Sequence, residues 1–357
     1  MEGLVARGFR NLAPTELTLP PEGIALLGAN AQGKTNLLEA LYYSVLFRSF
    51  RGATDSELAR FDGPGFRVES TVMRTGKTGT IATEFRVAPK RKRIEVDGAE
   101  SSRLMEAMGH WVAVAFLPSD VVLASGPGAE RRRYLDRLLC LADSRYLTAL
   151  TRYRSVLSQR NAALRHERRD VVQAFDEALA SAGAAIVSSR VRWADTATSM
   201  FAEEFAALGE QETVGLSYRG RAELAAVDAW PGAIEEAWPA DSKRGVTTVG
   251  PHRDDLILEI GGRALREYGS TGQQRSAVIA LKLLELSTLS EAYGTEPALV
   301  LDDVFAELDT ERQNRLVTRL DEGARRQVFV TAPRRDELPE GLTLPVWNVK
   351  EGRVTCP

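Results

Sequence analysis

Eight residues near the start of the chain, Gly28-Ala29-Asn30-Ala31-Gln32-Gly33-Lys34-Thr35, restrict its fold more than any other stretch. An apolar run, Ile24 to Leu27, precedes them, and Leu37, Leu38, Leu41, Tyr42 and Val45 follow at helical spacing. Strand, glycine-rich turn and helix, in that order, match G-x-x-x-x-G-K-[ST], a phosphate-binding loop. Glycines let the backbone close round phosphate oxygens with its N–H groups turned inward, and the helix adds its positive N-terminal end. Gly28, Asn30, Gly33, Lys34 and Thr35 are therefore the candidate ATP phosphate ligands. Lys34 would reach the β- and γ-phosphates, and the Thr35 hydroxyl would ligate Mg²⁺. A chance glycine-rich turn is the plain alternative, but it leaves the flanking strand and helix unexplained.

Such a loop needs a carboxylate on the metal side. Ala298 to Leu301 is an apolar strand that ends in Asp302-Asp303, which places acids at the carboxyl edge of a parallel sheet. Asp302 is expected to hold Mg²⁺ through water. Asp303 would point at the attacking water as general base. Roughly 270 residues separate the two motifs, far more than one compact domain of this kind needs. Both ends of the chain must then meet to build the site. The expected fold is α/β: a split head over 1–125 and 246–357, with a helical arm over 126–245.

The intervening pattern supports that split. Ile81, Thr83, Phe85 and Val87 alternate and Asp97-Gly98 is a turn signal, so 66–97 reads as an antiparallel subdomain. Val112 to Leu117 reads as another buried strand. From Gly128 the period turns helical. Tyr146, Leu150, Tyr153, Leu157 and Leu164 form one track, and Phe175, Leu179, Ala182, Ile186, Trp193 and Met200 a second, as in two helices folded back on each other. Leu256 to Ile260 and Gln327 to Val330 read as strands. Ala277 to Leu289 reads as a helix, as does Thr310 to Leu320, which ends near Gly323.

Ser270-Thr271-Gly272-Gln273-Gln274 stands before the acidic motif. A serine cap, a glycine for close approach and a helix opening at Gln273 suit a γ-phosphate. An ordinary capped helix reads the same way. The segment resembles the signature of the ABC ATPases, which assigns Ser270, Gly272 and Gln273 to the ATP of a second subunit. Ala306-Glu307-Leu308-Asp309 follows the acidic pair at the spacing of the ABC D-loop. Thr331 stands where transporter ATPases place a switch histidine, which argues against that branch.

Net charge is −3, so any nucleic-acid surface must be local. Residues 128–170 hold eleven arginines, no lysine and five acids. Arg152, Arg154, Arg160, Arg165, Arg168 and Arg169 are candidate DNA contacts, with a solvated helix face as the alternative. Lys90 to Arg93 is a second basic run. Arg131 to Arg133 are instead candidates for ion pairs stitching arm to head. His252, Asp254 and Asp255 fit a structural network better than a metal site. Two cysteines, Cys140 and Cys356, give no disulfide framework, as in a reducing cytoplasm. No run of about 18 apolar residues and no signal peptide is seen, so no membrane span is expected.

Taken together, several segments resemble the RecF family of SMC-like, ABC-type ATPases. They are Gly8 to Asn11, the loop at 28–35, Phe116 to Asp120, Arg131 to Asp136, Gly250 to Leu256, Ser270 to Gln274 and Leu301 to Asp309. The resemblance covers essentially the whole chain. It implies an ATPase head with a short helical arm, an ATP-dependent homodimer and slow, DNA-stimulated ATP hydrolysis. It also implies binding to duplex or gapped DNA, and action with RecR and RecO in loading RecA during recombinational repair, DNA replication and the SOS response. The adenine side would lie near Arg10 and Asn11, and Pro118 to Asp120 would correspond to the Q-loop. A transporter-type ATPase subunit and a small-molecule P-loop kinase are the other classes the motifs allow.

Overall fold

A computed structural model describes residues 1–74, 76–166, 169–321 and 326–356. The chain opens with β1 (Gly3–Arg7), β2 (Thr15–Thr18) and β3 (Gly23–Leu27), then α1 (Lys34–Leu46). Next come β4 (Gly65–Arg74), β5 (Lys77–Arg86), β6 (Arg91–Val96), β7 (Ala99–Glu100) and β8 (Ala113–Phe116). The helices α2 (Gly128–Ala142), α3 (Ser144–Arg165) and α4 (Asp176–Ala207) follow, then β9 (Val214–Arg219) and α5 (Trp230–Arg244). The remainder holds β10 (Asp255–Ile260), β11 (Arg263–Ala264), α6 (Thr271–Tyr293), β12 (Ala298–Leu301), α7 (Thr310–Asp321), β13 (Val328–Ala332), β14 (Val346–Lys350) and β15 (Arg353–Thr355).

The chain divides into two compact units, residues 1–120 with 285–357, and residues 121–284. In the first unit, β3 is buried along its whole length. Parallel β13 lies on one side of it and parallel β14 on the other, and the order β15-β14-β3-β13-β12-β8 completes the sheet. An apolar strand with no exposed face is what a covered parallel sheet requires. The second sheet, β2-β1-β4-β5-β6-β7, is antiparallel. Its inward residues alternate: Phe66, Val68, Ser70 and Val72 on β4 are buried. Phe66 packs at 5.3 Å from Phe9, 5.4 Å from Tyr43 and 5.6 Å from Phe85, edge contacts and stacking worth about 1 kcal/mol each beyond area burial.

The second unit holds α2 to α5 and the sheet β11-β10-β9. Tyr146, Leu150, Tyr153 and Leu164 of α3 and Leu179, Ala182, Ile186 and Trp193 of α4 are buried, and the two helices pack together. Residues 246–284, assigned to the head on sequence pattern, group here with the helices. β10 pairs antiparallel with β9, Asp255 is bridged to Arg131, and the Tyr134 hydroxyl donates to the Leu281 carbonyl at 2.7 Å. The helical stretch Arg169–Ala207 contains an 18-residue window of mean hydropathy 1.2, long and apolar enough by composition to cross a membrane. A search for consecutive apolar residues misses it because polar side chains such as Gln173, Asp176 and Glu177 interrupt the run. Leu179, Ile186, Val187 and Phe201 along it are buried within the protein. Gly323, the expected end of α7, lies outside the described residues.

Candidate nucleotide site

The phosphate loop after β3, the Asp302–Asp303 pair after β12 and Thr331 near the end of β13 come together at the carboxyl ends of those strands. The turn after β3 needs unusual backbone: Gly33 has φ 109° and Ala31 φ 65°, and only glycine takes the first without strain. A Cβ on Gly28 would meet the Val349 carbonyl oxygen at 2.3 Å. The strand hairpin β14–β15 thus presses on the loop. Its turn is bonded there by Gly352 N to Gln32 O (2.8 Å) and Glu351 N to Gln32 Oε1 (2.8 Å). This hairpin was not foreseen in the sequence, although Trp347 and Val349 alternate with polar residues before a Glu351-Gly352 turn. Lys34 is buried and its Nζ donates to the carbonyls of Gly28 (2.6 Å) and Ala29 (3.2 Å).

Thr35 at the start of α1 donates its hydroxyl to Asp302 Oδ1 at 2.9 Å, joining positions 267 apart in the chain. Thr331, at the end of β13, makes the second link. Its Oγ1 lies 2.9 Å from Asp302 Oδ1 and 3.2 Å from Asp303 Oδ1, and accepts the Asp303 backbone N–H at 2.9 Å. Asp303 has φ 48°, a conformation that side-chain-bearing residues adopt at a cost and that concentrates at functional sites. The Asp302 carboxylate is buried, makes no ion pair among the described residues, and burial pushes its pKa up. On the flank of α1, Arg10 pairs with buried Glu39 at 2.9 Å, Ser49 also donates to Glu39, and Asn36 donates to Asn11 Oδ1 at 2.7 Å. Leu117 N is held by Asp120 Oδ2 at 2.9 Å in the Pro118–Val121 turn.

The signature segment belongs to the second unit. Its helix opens at Thr271, two residues before the position expected from sequence. Ser270 Oγ accepts the Gln273 N–H at 3.2 Å while Gln273 Oε1 accepts the Ser270 N–H at 2.9 Å. This reciprocal capping box satisfies two helix-end donors. It leaves the exposed Ser270 hydroxyl its own proton to donate outward.

The basic residues separate by burial. Arg160 is fully buried and bonds Asp241 (2.8 Å), Asp176 (2.9 Å) and Thr247 (2.8 Å). It cannot touch DNA, so that expectation is corrected. Arg152 and Arg165 are exposed; Arg154 is exposed and pairs with Asp136 at 2.9 Å. Arg169 pairs with Glu235 and stacks over Trp238, while Arg168 lies outside the described residues. In the second basic run, Lys92 is held by Asp55 and Arg93 by Glu100. Arg131 clamps Asp255 with two bonds, 3.0 and 2.8 Å, and Arg132 donates to the Asp254 carbonyl. His252 is likewise engaged. Its Nδ1 lies 2.7 Å from the Tyr153 hydroxyl and its Nε2 2.9 Å from the Thr247 carbonyl. No group of three metal-binding side chains converges among the described residues.

Comparison with known proteins bears on this geometry. No family model matches the chain. Over 369 aligned positions it is 32% identical to the DNA replication and repair protein RecF of Lacticaseibacillus paracasei, covering 99% of this chain and 98% of that protein. The chain belongs to the RecF family. RecF of Citrifermentans bemidjiense is 34% identical, with 97% of each chain covered. A solved structure of the recombination mediator protein RecF-ATP in the RecFOR pathway superposes with TM-score 0.91 at 30% identity, over 100% of this chain and 97% of that one. An Smc head bound to the C-winged helix domain of ScpA shares the fold at TM-score 0.58 and 15% identity, over 100% and 96%. The RecF-family fold is therefore the expected one, an ABC-type ATPase head with an antiparallel subdomain and a helical arm.

Proposed function

We propose that the chain is an ATP-operated switch of DNA repair. ATP would bind the Gly28–Thr35 loop, two copies would close on it, and the closed dimer would hold duplex or gapped DNA and act with RecR and RecO in recombinase loading. The hydrogen bond between Thr35 and Asp302 carries this reading, because it brings the two halves of a split phosphate site together from opposite ends of the chain. Lys34, already inside the loop, needs only to exchange its carbonyl partners for phosphate oxygens.

Mg²⁺ fits the same place. A buried carboxylate that faces two hydroxyls and makes no ion pair among the described residues is costly, and a hydroxyl with a carboxylate oxygen is the hard donor set that ion takes. Mg²⁺ would supply neutralisation of phosphate charge. Asp303, half-buried and bonded to Thr331, would act as the base for the attacking water. Ser270, Gly272 and Gln273 would present a helix N-terminus and a free hydroxyl proton to the γ-phosphate of the partner subunit. Arg152, Arg154 and Arg165 remain as DNA contacts, without Arg160. The homologues named as DNA replication and repair proteins and the ATP-bound RecF structure support this reading.

Sedimentation with and without ATP, and with and without duplex DNA, tests it. A dimer that needs ATP and is tightened by DNA is expected. A monomer under all four conditions would refute the switch.

A further inference from the structure

The second unit contains a cavity of about 380 Å³ that has no part in the nucleotide site. Its apolar side is made by Leu150, Leu157, Ile186 and Pro251. Leu150 and Ile186 are buried, and Leu157 is half-buried. Four arginines also line it, Arg132, Arg133, Arg154 and Arg190, against a single carboxylate, Asp136.

The deep polar groups are committed inward. Arg190 gives its three nitrogens to Tyr146 (3.0 Å), the Pro251 carbonyl (2.6 Å) and Asp136 (2.7 Å). The Tyr153 hydroxyl and both His252 nitrogens are bonded to protein. The outer cations are less well matched. Arg154, 60% exposed, shares Asp136 with Arg190. Arg133, 68% exposed, pairs among the described residues only with Glu130 on its own helix. Arg132 bonds an uncharged carbonyl. The result is a basic mouth over an apolar floor.

This combination selects among anionic ligands. A phosphodiester backbone uses the cations but gains nothing from a recessed apolar floor. A nucleobase has polar edges, and the deep polar groups of the floor, Arg190, Tyr153 and His252, already bond to protein, so burying it against the leucines and Ile186 would strand those edges. An acidic peptide with one bulky apolar side chain uses both features: carboxylates pair bidentately with guanidinium forks, and the side chain covers the aliphatic surface.

We propose that this cavity docks an acidic segment of a partner protein. One large apolar side chain would sit on half-buried Leu157, backed by buried Leu150 and Ile186, with flanking carboxylates on Arg132, Arg133 and Arg154. The site is independent of the nucleotide loop and of the exposed Arg152 and Arg165.

Fluorescence anisotropy with the full chain tests this. The probe is a fluorescein-labelled peptide of four aspartates around one phenylalanine, with a sister peptide carrying alanine in the phenylalanine's place. The phenylalanine peptide should bind at least about tenfold tighter than its sister, as for an anchor in a desolvated pocket. Leu157→Asp should abolish that preference, and Arg133→Glu should weaken both peptides about fivefold or more. Circular dichroism and the melting temperature of each variant should match the parent chain, which reports folding. Should Leu157→Asp fail that control, the exposed Arg133→Glu decides, and unchanged peptide affinity in it overturns the proposal. Equal binding of the two peptides overturns it too. So does a short duplex that displaces the phenylalanine peptide stoichiometrically from an Arg154→Ala chain, which lacks the one side chain shared with the proposed DNA contacts, since that would make nucleic acid the occupant.

Discussion

Thr331 has one hydroxyl proton and two carboxylates within reach, while its oxygen receives the Asp303 N–H. It therefore fixes the distance and orientation of both acids. Thr331→Val keeps the shape and removes the bonds. ATP affinity should hold, while single-turnover hydrolysis slows by about tenfold or more as Asp303 loses its alignment. Asp303→Asn should stop turnover with ATP still bound; a normal rate in that variant would move the base elsewhere. The sequence made Thr331 visible only as a departure from histidine. Its bonds come from the β12–β13 pairing, and a linear reading has no access to which strands lie side by side. Gly28, Lys34, Thr35 and Asp302 were legible because loop chemistry and strand-end position are local properties.

At the scale of the helix, Arg160 shows how a composition argument fails. It was grouped with its exposed neighbours because the stretch is arginine-rich. Yet it falls at the same spacing as Tyr146, Leu150, Tyr153, Leu157 and Leu164, the track that faces inward. Arg160→Leu should destabilise the second unit by about 3–5 kcal/mol, because buried Asp241 would be left without its cation and half-buried Asp176 would lose its partner; denaturant unfolding measures this. Reversing Arg152 and Arg165 should leave stability alone and lower the log–log salt slope of DNA binding by about one each. An unaltered slope would return α3 to a solvated face. The His252 ring, on the loop beside α3, adds a pH signature. Burial lowers its pKa to about 4 from 6.5. The unfolded chain thus takes the proton first as pH falls, and stability is level above about 6.5 and declines from there towards about 4. His252→Gln should flatten that decline in melting temperature measured against pH.

For the whole molecule, the α/β class and the antiparallel subdomain were readable from period and spacing. Which segments the second unit takes up was not, because Arg131–Asp255 and β9–β10 join residues far apart in sequence. The proposed dimer is likewise a property of two chains. An arginine at the exposed Ser270 would block approach of a second subunit while leaving the first unit's loop intact. Ser270→Arg should bind ATP like the parent chain but neither dimerise nor hydrolyse. Mixed with a Lys34→Met chain, it should regain turnover, since one of the two composite sites then keeps both intact halves. Normal dimerisation of Ser270→Arg alone would remove the signature from the interface.

The strand that launches the phosphate loop has both its sheet neighbours, β13 and β14, near the other end of the chain. On a ribosome, β3 emerges early and waits for almost the whole polypeptide before either partner exists. Its apolar edges stay unpaired throughout synthesis, and closing the sheet requires contacts of very high sequence separation, which fold slowly. A chain that terminates before β13 has no partly working site to offer: it exposes a bare hydrophobic strand, the kind of product that chaperones and proteases remove.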